Sequence, residues 1–129
     1  MPVLITLNEE EGFYYTKHFG PVTEEDLIHA YLQFFKGGHW KPELNELVDL
    51  SEVDSSLLSA DGLTKLSFMI FNQWKAHHVF PKVAMWAPGD KEFEFCRMIE
   101  VQAAPGINIR VFRIKEDALS WVCMNHRVQ

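Results

Sequence analysis

The residues with the clearest chemical potential lie in one stretch, Leu44 to Leu66, where an apolar run ends in acids and hydroxyls. Asp49 and Ser51 close the run Glu46-Leu47-Val48-Asp49-Leu50-Ser51, and Glu52, Asp54, Ser55 and Ser56 follow it. A carboxylate and hydroxyls at the end of a buried strand could anchor a ligand, or support hydrolysis through Asp49 or Ser51. In an open α/β sheet, ligands usually bind in the crevice beyond the carboxyl ends of the strands. The segment from Ser51 to Ser59 is therefore the first candidate site. Ser55 and Ser56 are also candidate phospho-acceptors, Ser56 foremost, where a phosphate would add roughly −1.5 to −2 charge and reset a docking surface. The competing reading makes the two serines a turn and Ser59 a helix cap that accepts from free backbone amides. Asp49 has its own alternative, satisfaction by backbone amides at the strand end.

A second group lies further on. Pro88-Gly89-Asp90 sits at the mouth of a helix, with Asp90 placed as its N-cap. Free amides in that turn could hold an anion, although a single Gly makes a weak phosphate loop. Arg97, inside the same helix, could pair with a carboxylate ligand or with an acidic neighbour. The six histidines show no metal-ligand spacing, since His77 and His78 are adjacent and no pair lies i, i+4. Neither a metal nor another cofactor is expected, and no Ser-His-Asp arrangement can be assembled with specificity.

The elements that must position these residues follow from periodicity. Val3 to Leu7 and Phe13 to Phe19, separated by Asn8-Glu9-Glu10-Glu11-Gly12, form a hairpin. Thr23 caps a helix carrying Leu27, Ile28, Tyr31, Leu32, Phe34 and Phe35 on one stripe, ended by Gly37-Gly38. A second helix starts at Ser59 and buries Leu63, Leu66, Ile70 and Trp74. Val83 to Ala87 is a short apolar strand, and a third helix runs through Phe93, Cys96 and Ile99 towards Ala104, broken by Pro105-Gly106. Ile107 to Ile114 is the last strand, and a final helix from Glu116 turns Ala118, Leu119 and Val122 inward. Strands alternating with helices imply right-handed crossovers and a mostly parallel sheet. With the hairpin, this gives a five-stranded mixed sheet and four helices in a single domain, 1–129.

Composition narrows the function classes. A length of 129 residues, 47% of them hydrophobic, supports one buried core and argues against disorder. A net charge of −6 with few clustered Lys and Arg argues against a nucleic-acid surface. No stretch is apolar enough to span a membrane, and the amino-terminal residues lack a secretory pattern. Cys96 and Cys123 read as reduced, buried thiols, so a cytoplasmic location is expected.

Asp49-Leu50-Ser51 followed by Val53-Asp54-Ser55-Ser56, within this order of elements, resembles the STAS domain of SpoIIAA-like anti-sigma factor antagonists and sulfate-transporter tails. Leu47-Val48-Asp49, Lys82-Val83-Ala84, Ala87-Pro88-Gly89-Asp90, Arg97-Met98, Val111-Phe112 and Ala118-Leu119-Ser120-Trp121 look closer to an uncharacterised STAS-like branch compared with lipid-carrying CRAL-TRIO proteins. The resemblance covers nearly the whole chain. It implies a non-enzymatic module that binds a lipid-like ligand or a regulatory protein partner. It also implies an antagonist-type phosphoserine at Ser56. In the antagonists a Gly follows the two serines at a helix mouth; here Leu57-Leu58 follow, and Gly62 is the nearest glycine.

The aromatic residues add a further expectation. Phe34, Phe35, Trp40, Phe68, Phe71, Trp74 and Phe80 gather around the first two helices, more than one helix stripe uses. The excess suits an apolar cavity between helices and sheet, or a hydrophobic face. A twofold homodimer through Phe35, Phe68, Phe71 and Trp74 is one expectation. The alternative is that Gly37 to Asn45, with Trp40, folds over the same patch.

Overall fold

A computed structural model describes residues 2–102 and 108–123. The strands are β1 (Val3–Asn8), β2 (Phe13–Pro21), β3 (Asn45–Asp54), β4 (Lys82–Trp86) and β5 (Asn108–Phe112), side by side in that order. The helices are α1 (Glu24–Lys36), α2 (Ala60–Ala76), α3 (Asp90–Gln102) and α4 (Lys115–Cys123). β1 runs antiparallel to β2, and every later pair is parallel. The expected architecture, a mixed and mostly parallel five-stranded sheet with four helices, is therefore the observed one.

Local chemistry explains the element ends. The Asn8 side chain accepts from the Glu11 amide at 3.1 Å, and Gly12 takes φ 73° to close the hairpin. Thr23 and Asp26 form a reciprocal capping box at the start of α1. Ser59 caps α2 by accepting from the Gly62 amide at 3.0 Å. The far end of α2 closes as a Schellman turn, in which the Val79 amide reaches back to Trp74 and the His78 amide to Lys75. His78 sits at the left-handed position of that turn with φ 58°, where glycine is the usual occupant.

Each parallel crossover steps the same way across the sheet, so right-handed connections bring α1, α2 and α3 to one face. There Leu27, Tyr31, Leu63, Leu66, Phe71, Trp74 and Cys96 pack over Val48, Val83, Met85 and Ile109. Among the described residues the opposite face is covered by α4, through Ala118 and Val122 against Phe13, Leu47 and Ala84.

Several boundaries differ from expectation. β3 runs on past Ser51 to Asp54, and β4 starts and ends one residue earlier than Val83 to Ala87. The expected helix end at Ala104, the break at Pro105-Gly106 and the strand start at Ile107 lie outside the described residues. Asp90 is the first residue of α3 rather than its cap, and its carboxylate pairs with Arg113 at 2.8 Å. The continuous exposed face of Phe35, Phe68, Phe71 and Trp74 is also corrected. Phe71 and Trp74 are core residues, and Trp40 folds back onto Phe35 with ring centroids 4.5 Å apart. Phe68 is the member of the four that stays exposed, at 55%. The stripe on α2 is wider than Leu63, Leu66, Ile70 and Trp74, because Phe71 lies eight residues from Leu63 and returns to the same side.

Candidate functional site

The site is built around a break in strand pairing. Lys17 stands opposite Asp49, but Phe19 stands opposite Glu52, so two residues of β3 face His18 alone. This is a β-bulge at Leu50-Ser51. The extra residue leaves a backbone amide to satisfy, and Asp49 does so. Its Oδ1 accepts from the Ser51 amide at 2.9 Å and from the Ser51 hydroxyl at 2.6 Å. Its Oδ2 accepts from the Tyr15 hydroxyl. Burial pushes the Asp49 carboxyl up, but the hydrogen bonds from Ser51 and Tyr15 outweigh it and hold the group below its ordinary value. Burial and the bond to Asp49 together raise the Tyr15 phenol well above its usual range.

The bulge decides which side chains face the helices. A shift of one residue sends a strand's side chains to the other face. Glu46, Val48 and Leu50 point toward the helices before the bulge, and Val53 and Ser55 do so after it. All five line a cavity of about 110 Å³ between the sheet and α1, α2 and α3. The rest of the lining is largely apolar, with Leu63, Leu66, Ile70, Phe71 and Trp74 from α2 and Phe95, Cys96 and Ile99 from α3. The strand order never reverses, so the sheet has no switch point to open a crevice between opposed helices. The space lies beneath one helical layer instead. It reaches the candidate loop through Val53, Ser55 and Leu58.

Several polar groups interrupt the lining, Glu46, Ser55, Glu92 and His18 among them. The Glu46 carboxylate accepts from Thr16 at 2.5 Å and from Tyr31 at 2.7 Å. Burial nonetheless leaves its carboxyl above the ordinary value. Ser55 is buried, and its hydroxyl donates to Glu92 at 2.5 Å. His18, opposite the bulge, is 7% exposed, and neither ring nitrogen has a hydrogen-bond partner among the described residues. Burial pushes its imidazole down to about 4, against a smaller opposing pull from Asp49, so the ring is neutral at pH 7. Burial likewise pushes the Cys96 thiol up to about 12, which keeps it protonated.

The sequence-derived candidates thus fall into separate places. Asp49 and Ser51 meet each other on the α4 side of the sheet. Ser55 turns into the cavity. Ser56 is exposed, and its amide donates to Asp54 at 3.0 Å, which holds the Asp54 carboxyl below its ordinary range. Pro88, Gly89 and Asp90 are exposed at the start of α3, where the Pro88 carbonyl and the Asp90 carboxylate both accept from Arg113. A side chain at Gly89 would meet the Glu92 carboxylate that Ser55 engages. Arg97 pairs with Glu100 one turn along α3. Cavity residues that sequence reasoning missed are His18 and Glu46. The available signal was a polar pair, Thr16 and His18, on a strand whose two faces are both covered.

No protein-family model matches the chain, and no curated relative does. Two solved structures share its fold over nearly its whole length. An uncharacterised protein of the DUF3478 family with a SpoIIAA-like fold, from Shewanella loihica PV-4, superposes with a TM-score of 0.60 at 24% identity, covering 94% of this chain and 92% of that one. The unphosphorylated form of the anti-sigma factor antagonist SpoIIAA superposes with a TM-score of 0.55 at 11% identity, covering 93% and 96%. Hairpin, three same-handed crossovers and closing helix together give this chain the SpoIIAA-like fold.

Proposed function

We propose that the chain is a non-enzymatic STAS-type module that binds a small apolar or amphipathic molecule between its sheet and its three-helix face. The observation that carries this reading is the cavity of about 110 Å³ with its largely apolar lining. Protein interiors keep few voids larger than a water molecule. An occupant of matching shape would regain the packing contacts that such a space forgoes. The strand-end carboxylate that could act as a base, Asp49, is already engaged with Tyr15 and Ser51. Calorimetric unfolding in saturating benzene tests the reading. The melting temperature should rise with benzene concentration, as ligand linkage requires. The rise should shrink in Cys96→Leu, which extends a larger side chain into the same space. An unchanged melting temperature in the wild-type protein would refute a ligand cavity.

A second reading is favoured by the position of Ser56. Of the two candidate phospho-acceptors it is the exposed one, beside Leu57, which is 57% exposed, whereas Ser55 is buried against Glu92. A phosphate at Ser56 would recast a partner-docking loop by charge alone. Phosphopeptide mapping of protein from its native host tests this: phosphate on Ser56 supports a regulated docking surface, and its absence under all growth conditions counts against it.

A further inference from the structure

From the unpartnered His18 imidazole and the charge of the cavity lining, we infer that the ligand is a small neutral molecule with an apolar body and one hydroxyl group, hydrogen-bonded to His18. The inference rests on the ligand-binding reading above and adds the ligand's chemistry to it. A buried polar group without a partner costs free energy, and native interiors rarely keep one unless something else supplies the bond. Neither ring nitrogen of His18 has a partner among the described residues, and His18 is among those lining the cavity.

The character of the imidazole selects the ligand group. A neutral ring offers one N–H donor and one bare nitrogen acceptor. A hydroxyl can serve either nitrogen, whereas a carbonyl or carboxylate can serve only the N–H. The described lining contains two acids, Glu46 and Glu92, and neither Lys nor Arg. A carboxylate ligand would therefore enter a site without a counter-charge and beside two groups of its own sign. This excludes free fatty acids as the natural occupant. An ammonium fits no better, because Glu46 already accepts from Thr16 and Tyr31, and Glu92 accepts from Ser55. Size sets the remaining limit. An apolar cavity of about 150 Å³ takes up one benzene molecule, so a space of about 110 Å³ suits one ring or a short branched chain.

Four probes of similar shape separate the possibilities: benzene, phenol, benzoate and benzylamine, titrated into the wild-type protein and His18→Leu and followed by NMR. In the wild type phenol should bind roughly five- to tenfold tighter than benzene, the worth of one net hydrogen bond. Benzoate and benzylamine should bind weakest. The ring ¹⁵N signals of His18 should move with phenol and stay still with benzene, a readout that needs no variant. In His18→Leu the preference should invert, because the phenol hydroxyl then lies buried without a partner. If benzene binds and phenol gains nothing over it, the assignment to His18 fails while the cavity reading stands. If benzoate or benzylamine binds tightest, the charge argument fails. If none of the four binds, both this inference and the reading beneath it fall.

Discussion

The two faces of the sheet treat buried polar groups in opposite ways. On the α4 side Asp49 is 1% exposed, and both of its carboxylate oxygens are taken, by Tyr15 and by Ser51. On the three-helix side His18 is buried almost as deeply and has no partner among the described residues. The two residues are nearly neighbours across β2 and β3, where Lys17 stands opposite Asp49. Burial of a polar residue is therefore no guide to function by itself. A group whose bonding capacity is filled from within the chain holds structure, as Asp49 holds the bulge. A group left unfilled beside a cavity is a place for something else.

The largest expected effect follows on the satisfied face. Asp49→Ala removes the acceptor for two hydroxyls and one backbone amide, and at about 0.5–1.5 kcal/mol per net hydrogen bond the loss should be roughly 2–4 kcal/mol. Urea denaturation measures it. A loss below about 1 kcal/mol would mean that the bulge does not depend on this carboxylate.

The unsatisfied face should respond to acid. Above pH 6.5 His18 is neutral in both the folded and the unfolded chain. Between pH 6.5 and about 4 the unfolded chain binds a proton that the folded chain refuses, so stability falls as pH falls through this window. The drop from 6.5 to about 4 corresponds to roughly 3 kcal/mol, and below about pH 4 the loss should level off. Glu46, whose carboxyl burial holds above its ordinary value, brings an acid dependence of its own. The difference between wild type and His18→Leu isolates the histidine, and parallel pH profiles for the two proteins would contradict its burial as a neutral ring.

At pH 7 the contrast between the faces should reverse the usual sign of a core mutation. His18→Leu should stabilise the free protein by roughly 1–2 kcal/mol, because it removes a buried group with no partner. Chemical denaturation without ligand checks this, and a destabilised variant would imply a partner for the imidazole within the chain. The smallest effect lies outside both faces. His78→Gly relieves a left-handed residue in the turn after α2 and should add roughly 0.5–1 kcal/mol, visible as a small rise in melting temperature.

The sequence made some of this legible and concealed the rest for physical reasons. Thr23-Glu24-Glu25-Asp26, Ser59 and the hairpin glycine are local signals, because caps and turns depend on residues a few positions apart. The order of elements followed from them and from periodicity, and with it the fold. The bulge was hidden because it exists only in the pairing of β3 with β2, which no window along either strand contains. Without it, Val53 and Ser55 would be assigned to the wrong face. His18 was concealed by its strand, where alternating aromatic and polar residues imply one wet face, although both faces of an interior parallel strand are covered. Phe71 was misplaced through a stripe drawn too narrow, which made the exposed aromatic patch on α1 and α2 larger than it is.

Methyl-detected NMR during a benzene titration tests the asymmetry between the faces most directly. Val48, Val83, Met85 and Ile109 carry methyl groups under the three helices, and Leu47, Ala84, Ala118 and Val122 carry them under α4. The expected result is saturable movement of the first set, with the second set nearly still. Movement of the α4 set instead, or of neither set at saturating benzene, would contradict a ligand site on the three-helix face.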